Sequence, residues 1–227
     1  MNTDRLILAP KSSNKNDKIK GKKYLRYIPP YLRRRYVTLK KYCGYTGKEY
    51  SLQPFENCDC VFVHIPKTGG VSVAKSLFGN LGAGHCTVKD YRFLFGSELY
   101  DSKFTFTFVR HPFSRLASAY NFLKQGGITE RDQVWAEKNI SKYTSINEFV
   151  RKWVRKENVN SWLHFREQSK FLDGKKELDV DFVGKTEKIK KGFEKIKEMV
   201  KPEANLNHLN KSKSNGYENT LDKESKI

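Results

Sequence analysis

The sequence predicts an α/β fold of three layers, in which helices flank a central and mostly parallel sheet. Three short runs, at residues 60–65, 103–109 and 179–184, are rich in the β-branched and aromatic residues typical of strands. Amphipathic segments with a helical period follow each of these runs. Strands that alternate with helices in this way pair in parallel and carry the helices on the faces of the sheet.

The first strand and the helix after it surround the segment HIPKTGG. Residues 60–65, CVFVHI, form an apolar run that Pro66 terminates. In VSVAKSLFGNLG, which follows the two glycines, the apolar residues share one helical face, and Gly82 is the predicted end of the helix. The members of that face are Val73, Ala74, Leu77, Phe78 and Leu81.

The second strand leads into a helix that begins at Pro112. In residues 103–109, KFTFTFV, phenylalanines alternate with threonines, which predicts that one face of the strand packs against the core. The glycine pair at 126–127 predicts the end of the helix. On a helical wheel, the side opposite the apolar arc carries Ser114, Arg115 and Ser118.

The rest of the chain predicts two more helices and a third strand. Ser145 and Glu148 have the spacing of a capping box ahead of FVRKWV. DVDFVG, at residues 179–184, is the predicted third strand. Thr186 is the predicted N-cap of EKIKKGFEKIKEMV, a helix whose apolar stripe ends before Pro202.

Charge and composition divide the chain into three predicted segments. Residues 1–57 hold 14 Lys/Arg against 4 Asp/Glu with weak apolar periodicity, which predicts a basic and partly ordered arm. We expect a folded domain at 58–214 and a polar tail at 215–227. The formal net charge of +19 favours partners and cofactors that are polyanions.

The sequence also predicts a cytoplasmic protein. No run approaches the roughly 18 apolar residues that cross a bilayer, and the N-terminus lacks the apolar core of a signal peptide. The four cysteines form no CxxC pair, so reduced thiols are expected. Asp and Glu form no evident cluster of ligands, and no metal is expected.

The turn HIPKTGG has the composition of a phosphate-binding loop. A helix N-terminus presents unpaired backbone N–H groups and a partial positive charge to an anion. Gly69 and Gly70 allow the backbone to approach that anion closely. Lys67 adds a positive charge, and Thr68 and Ser72 add hydroxyl donors. A Walker A loop places four residues between its glycines and a lysine after the second, so the spacing here disfavours an NTPase.

A second anion site is predicted in FTFVRHPFSRLASAY. Arg110 stands at the carboxyl end of the second strand, and Ser118 lies in the second turn of the next helix. Helical side chains lean toward the N-terminus of their helix, so Ser118 can point toward Arg110. A guanidinium, a hydroxyl and a helix N-terminus together bind phosphate well. Two such sites at one edge of a sheet suit a ligand with phosphate groups at both ends.

These two segments resemble the cofactor motifs of carbohydrate sulfotransferases, which use 3′-phosphoadenosine 5′-phosphosulfate (PAPS). HIPKTGGVS is similar to their 5′-phosphosulfate loop, and FVRHPFSRLASAY to their 3′-phosphate motif, Arg-x-Pro-x-x-Arg-x-x-Ser-x-Tyr. DFVGKTEKI and NLNHLNKS resemble later segments of the heparan 2-O and chondroitin branch, so the resemblance covers about residues 60–214. It implies a P-loop-like fold and PAPS as the cofactor.

The resemblance assigns roles to individual residues of the two motifs. The implied ligands are Lys67, Thr68, Gly69, Gly70, Val71 and Ser72 for the 5′-phosphosulfate, and Arg110 and Ser118 for the 3′-phosphate. Val71 replaces the threonine common in the family, which removes one hydroxyl donor. Relatives usually continue through another helix after LNKS, which implies either a minimal enzyme or a truncated sequence.

The implied reaction is in-line transfer of the sulfuryl group to a hydroxyl of a carbohydrate, which the positive charge of the protein suggests is acidic. Lys67 would stabilise the leaving group. His85 would be the base, because the heparan 2-O branch carries a similar Gly-His segment; the alternative for His85 is a surface loop. His64 is expected in the core, His111 at a helix start, and His164 either near the acceptor or on a solvated helix face.

Two other functions stay open at the level of sequence. A non-enzymatic protein that binds RNA or another acidic polymer would use the basic arm, although no recognisable nucleic-acid motif is present. A nucleotide kinase would also need two anion sites, but the Walker pattern is missing. The identity of the acceptor and the oligomeric state do not follow from the sequence.

Overall fold

A computed structural model describes residues 49–207 and 221–226, and these have the predicted α/β architecture. In this part of the chain three parallel strands form one sheet: β1 (Cys60–Val63), β2 (Phe104–Val109) and β3 (Phe182–Lys185). β2 lies in the centre. Its residue Thr107 is opposite Val63 of β1, and its Val109 is opposite Lys185 of β3. The carboxyl ends of all three strands therefore meet at one edge of the sheet.

Helices connect these strands and cover them. In chain order they are α1 (Gln53–Asn57), α2 (Gly70–Phe78), α3 (Val88–Phe95), α4 (Ser97–Asp101), α5 (Pro112–Lys124), α6 (Glu130–Asn139), α7 (Ile146–Trp153), α8 (Lys156–Val159), α9 (Ser169–Leu172) and α10 (Ile189–Val200). Short 3₁₀ turns occupy Thr186–Lys188 and Glu224–Lys226. Among the described residues, no helix has the length and apolar character that a membrane span requires.

Several predicted segments lie partly outside the described residues. They include most of the basic arm, the greater part of the polar tail, and NLNHLNKS beyond its first three residues. The domain bounds of 58–214 therefore stay a prediction.

Helix α2 ends three residues earlier than the sequence predicted. The end is at Phe78, where Gly79 takes a left-handed backbone with a φ of 71° and donates its N–H to the Lys75 carbonyl at 3.0 Å. The prediction of Gly82 as the end was wrong because two glycines compete for this role. The earlier one closes the helix as soon as its backbone turns.

Strand β2 is buried on both faces, and the prediction of a single packed face was wrong. Thr105 is 3% exposed and Thr107 is fully buried, like Phe106 and Phe108. A central strand of a parallel sheet has helices on both sides, so polar side chains there need internal partners. Thr107 Oγ1 donates to the Val63 carbonyl at 2.7 Å, and Thr105 Oγ1 donates to Asp181 at 2.8 Å. The alternation of residue types therefore does not mark a solvent face.

The helix ends downstream follow the predicted signals in two places and depart from them in a third. α5 ends at Lys124, and the glycines after it have φ values of 91° and 68°, as a left-handed ending requires. Ser145 caps α7 by accepting from the Glu148 N–H at 3.2 Å. Thr186 does not cap α10, because the 3₁₀ turn comes first and its hydroxyl is used elsewhere.

The buried apolar residues form two clusters. The larger one surrounds the sheet and includes Phe62, Phe106, Phe108 and Phe193. The second lies among α5, α6 and α7 and consists largely of aromatic side chains, among them Tyr120, Phe149, Trp153 and Phe165. Leu221, near the end of the chain, is buried in this second cluster. The second cluster holds α5 and the segment around residue 164 against the edge where the strands end.

Candidate active site

Three loops meet where the parallel strands end. The Arg110 guanidinium, after β2, donates from Nη1 to the Lys67 carbonyl in the loop after β1 at 3.3 Å. The Thr186 hydroxyl, after β3, lies 2.8 Å from the Thr68 carbonyl and 3.0 Å from the Val109 carbonyl, so its single proton can go to either. The two predicted anion-binding turns are therefore neighbours in one crevice.

The loop after β1 has two residues in the left-handed backbone conformation, which most residue types adopt rarely. Lys67 has a φ of 67° and Gly69 a φ of 77°, both in the left-handed region. Such a φ is uncommon for a lysine and stores strain, which folded proteins tolerate mainly at functional sites. Gly70 has an ordinary helical role but no room for a side chain, because a Cβ there would lie 2.1 Å from His64 Cδ2. This close packing draws the N-terminus of α2 against the end of β1.

Two predicted ligands of this loop are turned inward. Thr68 is fully buried, and its hydroxyl donates to the Ile65 carbonyl at 2.8 Å, so its side chain stabilises the loop instead of facing a ligand. Ser72 is buried in the first turn of α2. Val71 is half-buried beside it. The backbone N–H groups at the start of α2 are therefore the groups of this loop best suited to an anion.

Lys67 is half-buried, and its pKa is lower than that of an ordinary lysine. Its Nζ lies 3.8 Å from the centroid of the Phe122 ring. Burial, and then the nearby charge of Arg110, lower the pKa of Lys67 to about 8, although Asp132 acts in the opposite direction. Among the described residues no carboxylate lies within ion-pair distance of Lys67. The ammonium group is therefore placed for an anionic partner that the described residues do not supply.

The lowered pKa of Lys67 predicts how stability varies with pH. Because about 8 is below the ordinary value of 10.5, folding penalises the protonated amine below pH 8, and the penalty disappears as the pH rises to 10.5. At pH 7 we expect Lys67→Met to raise the free energy of unfolding by about 1–2 kcal/mol, allowing for solvent screening.

Urea unfolding of the wild type and of Lys67→Met, at pH 7 and at pH 10.5, tests that expectation. The difference in free energy of unfolding between the two proteins should shrink at the higher pH. The wild-type amine is then neutral for much of the time in both the folded and the unfolded state. A difference that is independent of pH, or a variant less stable than the wild type at pH 7, would contradict it.

Arg110 is fixed through its backbone. Its N–H donates to Gln168 Oε1 at 2.9 Å, and Gln168 Nε2 donates back to its carbonyl at 2.8 Å. The next residue, His111, donates its N–H to Glu187 at 2.8 Å. Burial lowers the pKa of Arg110, and Glu187 opposes that shift. The amide of Gln168 thus holds the backbone, while the guanidinium reaches across to the Lys67 loop.

Arg115 is buried, although it lies on the side of α5 opposite the predicted apolar arc. It is 6% exposed. Its Nε donates to the Pro66 carbonyl and its Nη1 to the Arg166 carbonyl, both at 2.9 Å. The helical wheel missed this because the sheet edge and the segment around residue 166 cover that side of α5. Burial lowers the pKa of Arg115 to about 10, and its Nη2 has no hydrogen-bond partner among the described residues.

Ser118 lies half-buried on α5. Within the described ranges it is hydrogen-bonded neither to Arg110 nor to the Lys67 loop. Its assignment as a phosphate ligand therefore stays a prediction. Arg115, one turn earlier, contacts the β1 loop through the Pro66 carbonyl.

Three histidines gather beside Lys67. His64 is 4% exposed, as predicted for a core residue, and its carbonyl lies 2.8 Å from His85 Nδ1. The rings of these two residues are 4.3 Å apart, and the ring of His164 is 6.4 Å from that of His85. Burial above all lowers the pKa of His85 to about 4, with contributions from His164, Arg115 and Lys67. His85 is thus neutral at physiological pH.

His164 is buried, not on a solvated helix face. It is 8% exposed, and its Nδ1 lies 3.7 Å from Asp132 Oδ1. Its ring packs 5.0 Å from Phe122, the residue under the Lys67 ammonium group. The alternative of a solvated helix face for His164 was therefore wrong, and its position near the acceptor stays a prediction. Among the described residues, no group of three His, Cys, Asp or Glu side chains is arranged to hold a metal ion.

This geometry can be compared with known protein families. A model of the sulfotransferase family matches residues 56–226, which is most of the chain and includes every described strand. The chain belongs to the sulfotransferase family. No match was found for this sulfotransferase among the curated proteins or among the solved structures. Family membership supports sulfuryl transfer in general, which agrees with a site rich in cations.

Several residues of the sulfotransferase site have no signal in the sequence. Gln168 and Thr186 reach the crevice from loops that lie far along the chain from Lys67 and Arg110. Asp132 has the spacing of a helix cap, with Thr129, and nothing in that pattern indicates a histidine partner. Nothing in the sequence distinguishes Phe122 from the other aromatic residues of α5. Only the second cluster of aromatic residues brings these side chains to the edge of the sheet.

Proposed function

We propose that this sulfotransferase transfers the sulfuryl group from PAPS to a hydroxyl of a carbohydrate acceptor. The observation that carries the proposal is the 3.3 Å contact between Arg110 Nη1 and the Lys67 carbonyl. It joins two turns that are predicted to bind anions, each of which follows a parallel strand. A ligand with phosphate groups at both ends can therefore contact both turns at once.

The residues present fit such a ligand. Gly70 leaves no space for a Cβ, so the start of α2 lies directly against His64 at the end of β1. A helix N-terminus at this position can offer backbone N–H groups to an anion. Arg110 and Lys67 supply two cations, and in the described residues neither has a carboxylate within ion-pair distance. Burial, and then the charge of Arg110, lower the pKa of Lys67. A dianionic phosphate beside it would raise that pKa again and be bound in return.

The side chains of the site have separate roles in the proposed transfer. PAPS, when bound, supplies the sulfuryl group and departs as adenosine 3′,5′-bisphosphate. Protonated Lys67 stabilises the charge that develops on the departing phosphate. His85 directs Nδ1 to the His64 carbonyl, which places its proton there and leaves the Nε2 lone pair to accept the proton of the acceptor hydroxyl. Negative charge bound nearby raises the low pKa of His85 toward neutrality, which makes it a better base.

The acceptor is proposed to be a carbohydrate, with acidic glycans as the first choice. The formal net charge of +19 attracts polyanions. Phe122 and Trp162 are partly exposed and contact the His164 ring, at 5.0 and 6.4 Å between centroids. Aromatic rings of this kind offer an apolar surface against which a sugar ring can pack.

The test has two parts. Calorimetry should detect binding of adenosine 3′,5′-bisphosphate, and ATP should not displace it. Radiolabelled PAPS with a panel of acidic and neutral glycans should then give labelled product. If neither binding nor transfer occurs, the proposal is wrong. Salt-sensitive binding of RNA that survives changes at Lys67 and Arg110 would instead support the non-enzymatic alternative.

Arg110→Ala should weaken the binding of adenosine 3′,5′-bisphosphate by about ten- to a hundredfold, because it removes charge-assisted hydrogen bonds. Gln168 holds the backbone, so the loop should keep its shape. At saturating PAPS most of kcat should remain. Arg155→Ala, which changes an exposed arginine at the start of α8, is the control and should bind like the wild type. An unchanged Kd for Arg110→Ala would remove Arg110 from the site.

A further inference from the structure

We infer that Asp132 is a positioning residue of the transfer reaction, which acts on His164 and Lys67 together. The inference rests on the proposed function of this site. Asp132 is 6% exposed and His164 is 8% exposed, and their closest side-chain atoms, Oδ1 and Nδ1, are 3.7 Å apart. Asp132 is also close enough to act electrostatically on Lys67. A carboxylate buried to this degree is rare unless neighbouring groups compensate for its loss of solvation.

The two oxygens of Asp132 have different surroundings. Oδ2 closes the capping box of α6: it accepts from the Thr129 N–H at 3.2 Å, from the Thr129 hydroxyl at 2.9 Å and from the Ile128 N–H at 3.3 Å. Oδ1 faces His164. The carboxylate therefore completes a helix end with one oxygen and contributes the other to the site. Capping alone does not require the second contact.

The approach of Asp132 also depends on a glycine with no room for a side chain. A Cβ on Gly127 would lie 2.3 Å from Asp132 Cβ and 2.9 Å from Oδ2. Gly127 has a φ of 68°, so it both ends α5 and lets the carboxylate come close. The loop between α5 and α6 is thus built around Asp132.

Asp132 is the negative charge among cations. The charged and titratable groups that act on His164 are Lys67 from the β1 loop, Arg115 from α5, His85 from the loop before α3, and Asp132 from α6. The groups that act on Lys67 are Arg110 and Asp132. In both sets Asp132 is the member that favours the protonated form, against burial and the cations. Without it, the described part of the site would hold only positive and neutral groups around these two residues.

Two consequences follow for the reaction. A carboxylate facing Nδ1 favours the tautomer of His164 with its proton on Nδ1, so the lone pair is on Nε2. His85 has the same tautomer for a different reason, its bond to the His64 carbonyl. Asp132 also keeps Lys67 protonated to a higher pH, and protonated Lys67 is the form that stabilises the leaving group.

The tautomer can be measured on the unmodified protein without a substrate. Long-range ¹⁵N–¹H spectra at neutral pH distinguish Nδ1–H from Nε2–H imidazoles, and loss of one signal in His164→Gln assigns it. We expect wild-type His164 to be protonated on Nδ1. In Asp132→Asn the two tautomers should mix, while His85 should keep its own. An Nε2–H tautomer of His164 in the wild type would overturn the inference, whether or not the protein transfers sulfate.

Activity provides the second readout, with two matched controls. Asp132→Asn should lower kcat by about tenfold or more and move the alkaline limb of its pH profile to lower pH, since a charge a few ångströms from Lys67 is lost. Thr129→Ala removes a capping partner but keeps the charge. Asp90→Asn makes the same change in the equivalent capping box of α3, where Asp90 accepts from Thr87. Both controls should lose stability and keep the wild-type pH profile.

The outcomes separate this inference from the proposed function. An active wild type with identical pH profiles for Asp132→Asn and Asp90→Asn would show that Asp132 only caps α6, and the inference would be wrong while the transferase stood. A wild type that binds no adenosine 3′,5′-bisphosphate would defeat the proposed function, and the tautomer of His164 would still decide whether Asp132 positions that ring.

Discussion

Lys67→Met should reduce sulfuryl transfer by about a thousandfold in kcat, while the protein stays folded. Removal of a single group that stabilises charge in a transition state typically has an effect of this size. The methylene chain is kept, so packing against Phe122 persists. The loop also keeps its shape, because Arg110 holds the Lys67 carbonyl and not its side chain. Initial rates at saturating PAPS and acceptor, with calorimetry of adenosine 3′,5′-bisphosphate, measure the expected split between chemistry and binding.

The control for this substitution is Lys75→Met on α2. Lys75 pairs with Glu49 at 2.9 Å and lies in the last turn of α2, at the end opposite the loop. It should keep nearly all activity. If Lys67→Met retained a tenth or more of wild-type kcat, Lys67 would not be the group that stabilises the leaving phosphate. The combination of lost activity and raised stability at pH 7 is typical of residues selected for function.

Gly70→Ala should destabilise the fold by about 2–3 kcal/mol and abolish cofactor binding, although alanine is the better helix former. The new Cβ would lie 2.1 Å from His64 Cδ2 and 2.3 Å from its Nε2. His64 is 4% exposed and stacks against Phe62, so the ring has little freedom to move away. The start of α2 must then shift, and the backbone N–H groups that face the anion shift with it.

The cause can be isolated by removing the obstructing ring. In a His64→Ala background, Gly70→Ala should become neutral or stabilising, so the sign of its effect reverses. The bond from His85 to the residue 64 carbonyl involves the backbone and survives this change. Gly79→Ala is the comparison, because it meets nothing within 4 Å and its cost comes only from its φ of 71°. Urea unfolding of the wild type, the two single variants, the double variant and Gly79→Ala measures these free energies. If the cost of Gly70→Ala were the same with and without His64→Ala, the packing explanation would be wrong.

The sequence predicted the parts of this protein that depend on neighbours in the chain. Lys67, the glycines beside it and Arg110 each follow a run of strand-forming residues, and parallel strands bring their carboxyl ends to one edge. The α/β class was confirmed for the same reason. The helix ends were less certain, because glycines such as Gly79 and Gly82 compete when only local signals are considered.

The sequence-based predictions failed mainly on which polar side chains are buried. Arg115 was assigned to the far side of its helix because a helical wheel assumes that only one side is covered. The contact that covers it comes from Arg166, about fifty residues later. The sequence gives no sign that Asp132 belongs to the site, since its spacing from Thr129 is that of a helix cap. The hydroxyl of Thr186, which was predicted to be a cap, instead lies between the Thr68 carbonyl and the carbonyl of Val109 at the end of β2.

The amino-acid sequence by itself determined the fold class, the three strands with the helix that follows each of them, and the positions of the two turns predicted to bind anions. These depend on hydrophobic period and on glycine placement, which act over a few residues. Only the tertiary structure decided which side chains surround Lys67: Arg115, the histidines and Asp132 meet there because α5, α6 and two loops pack around the second aromatic cluster. Charges and proton positions depend on burial and on distances of a few ångströms, and these are fixed only when the whole chain is folded.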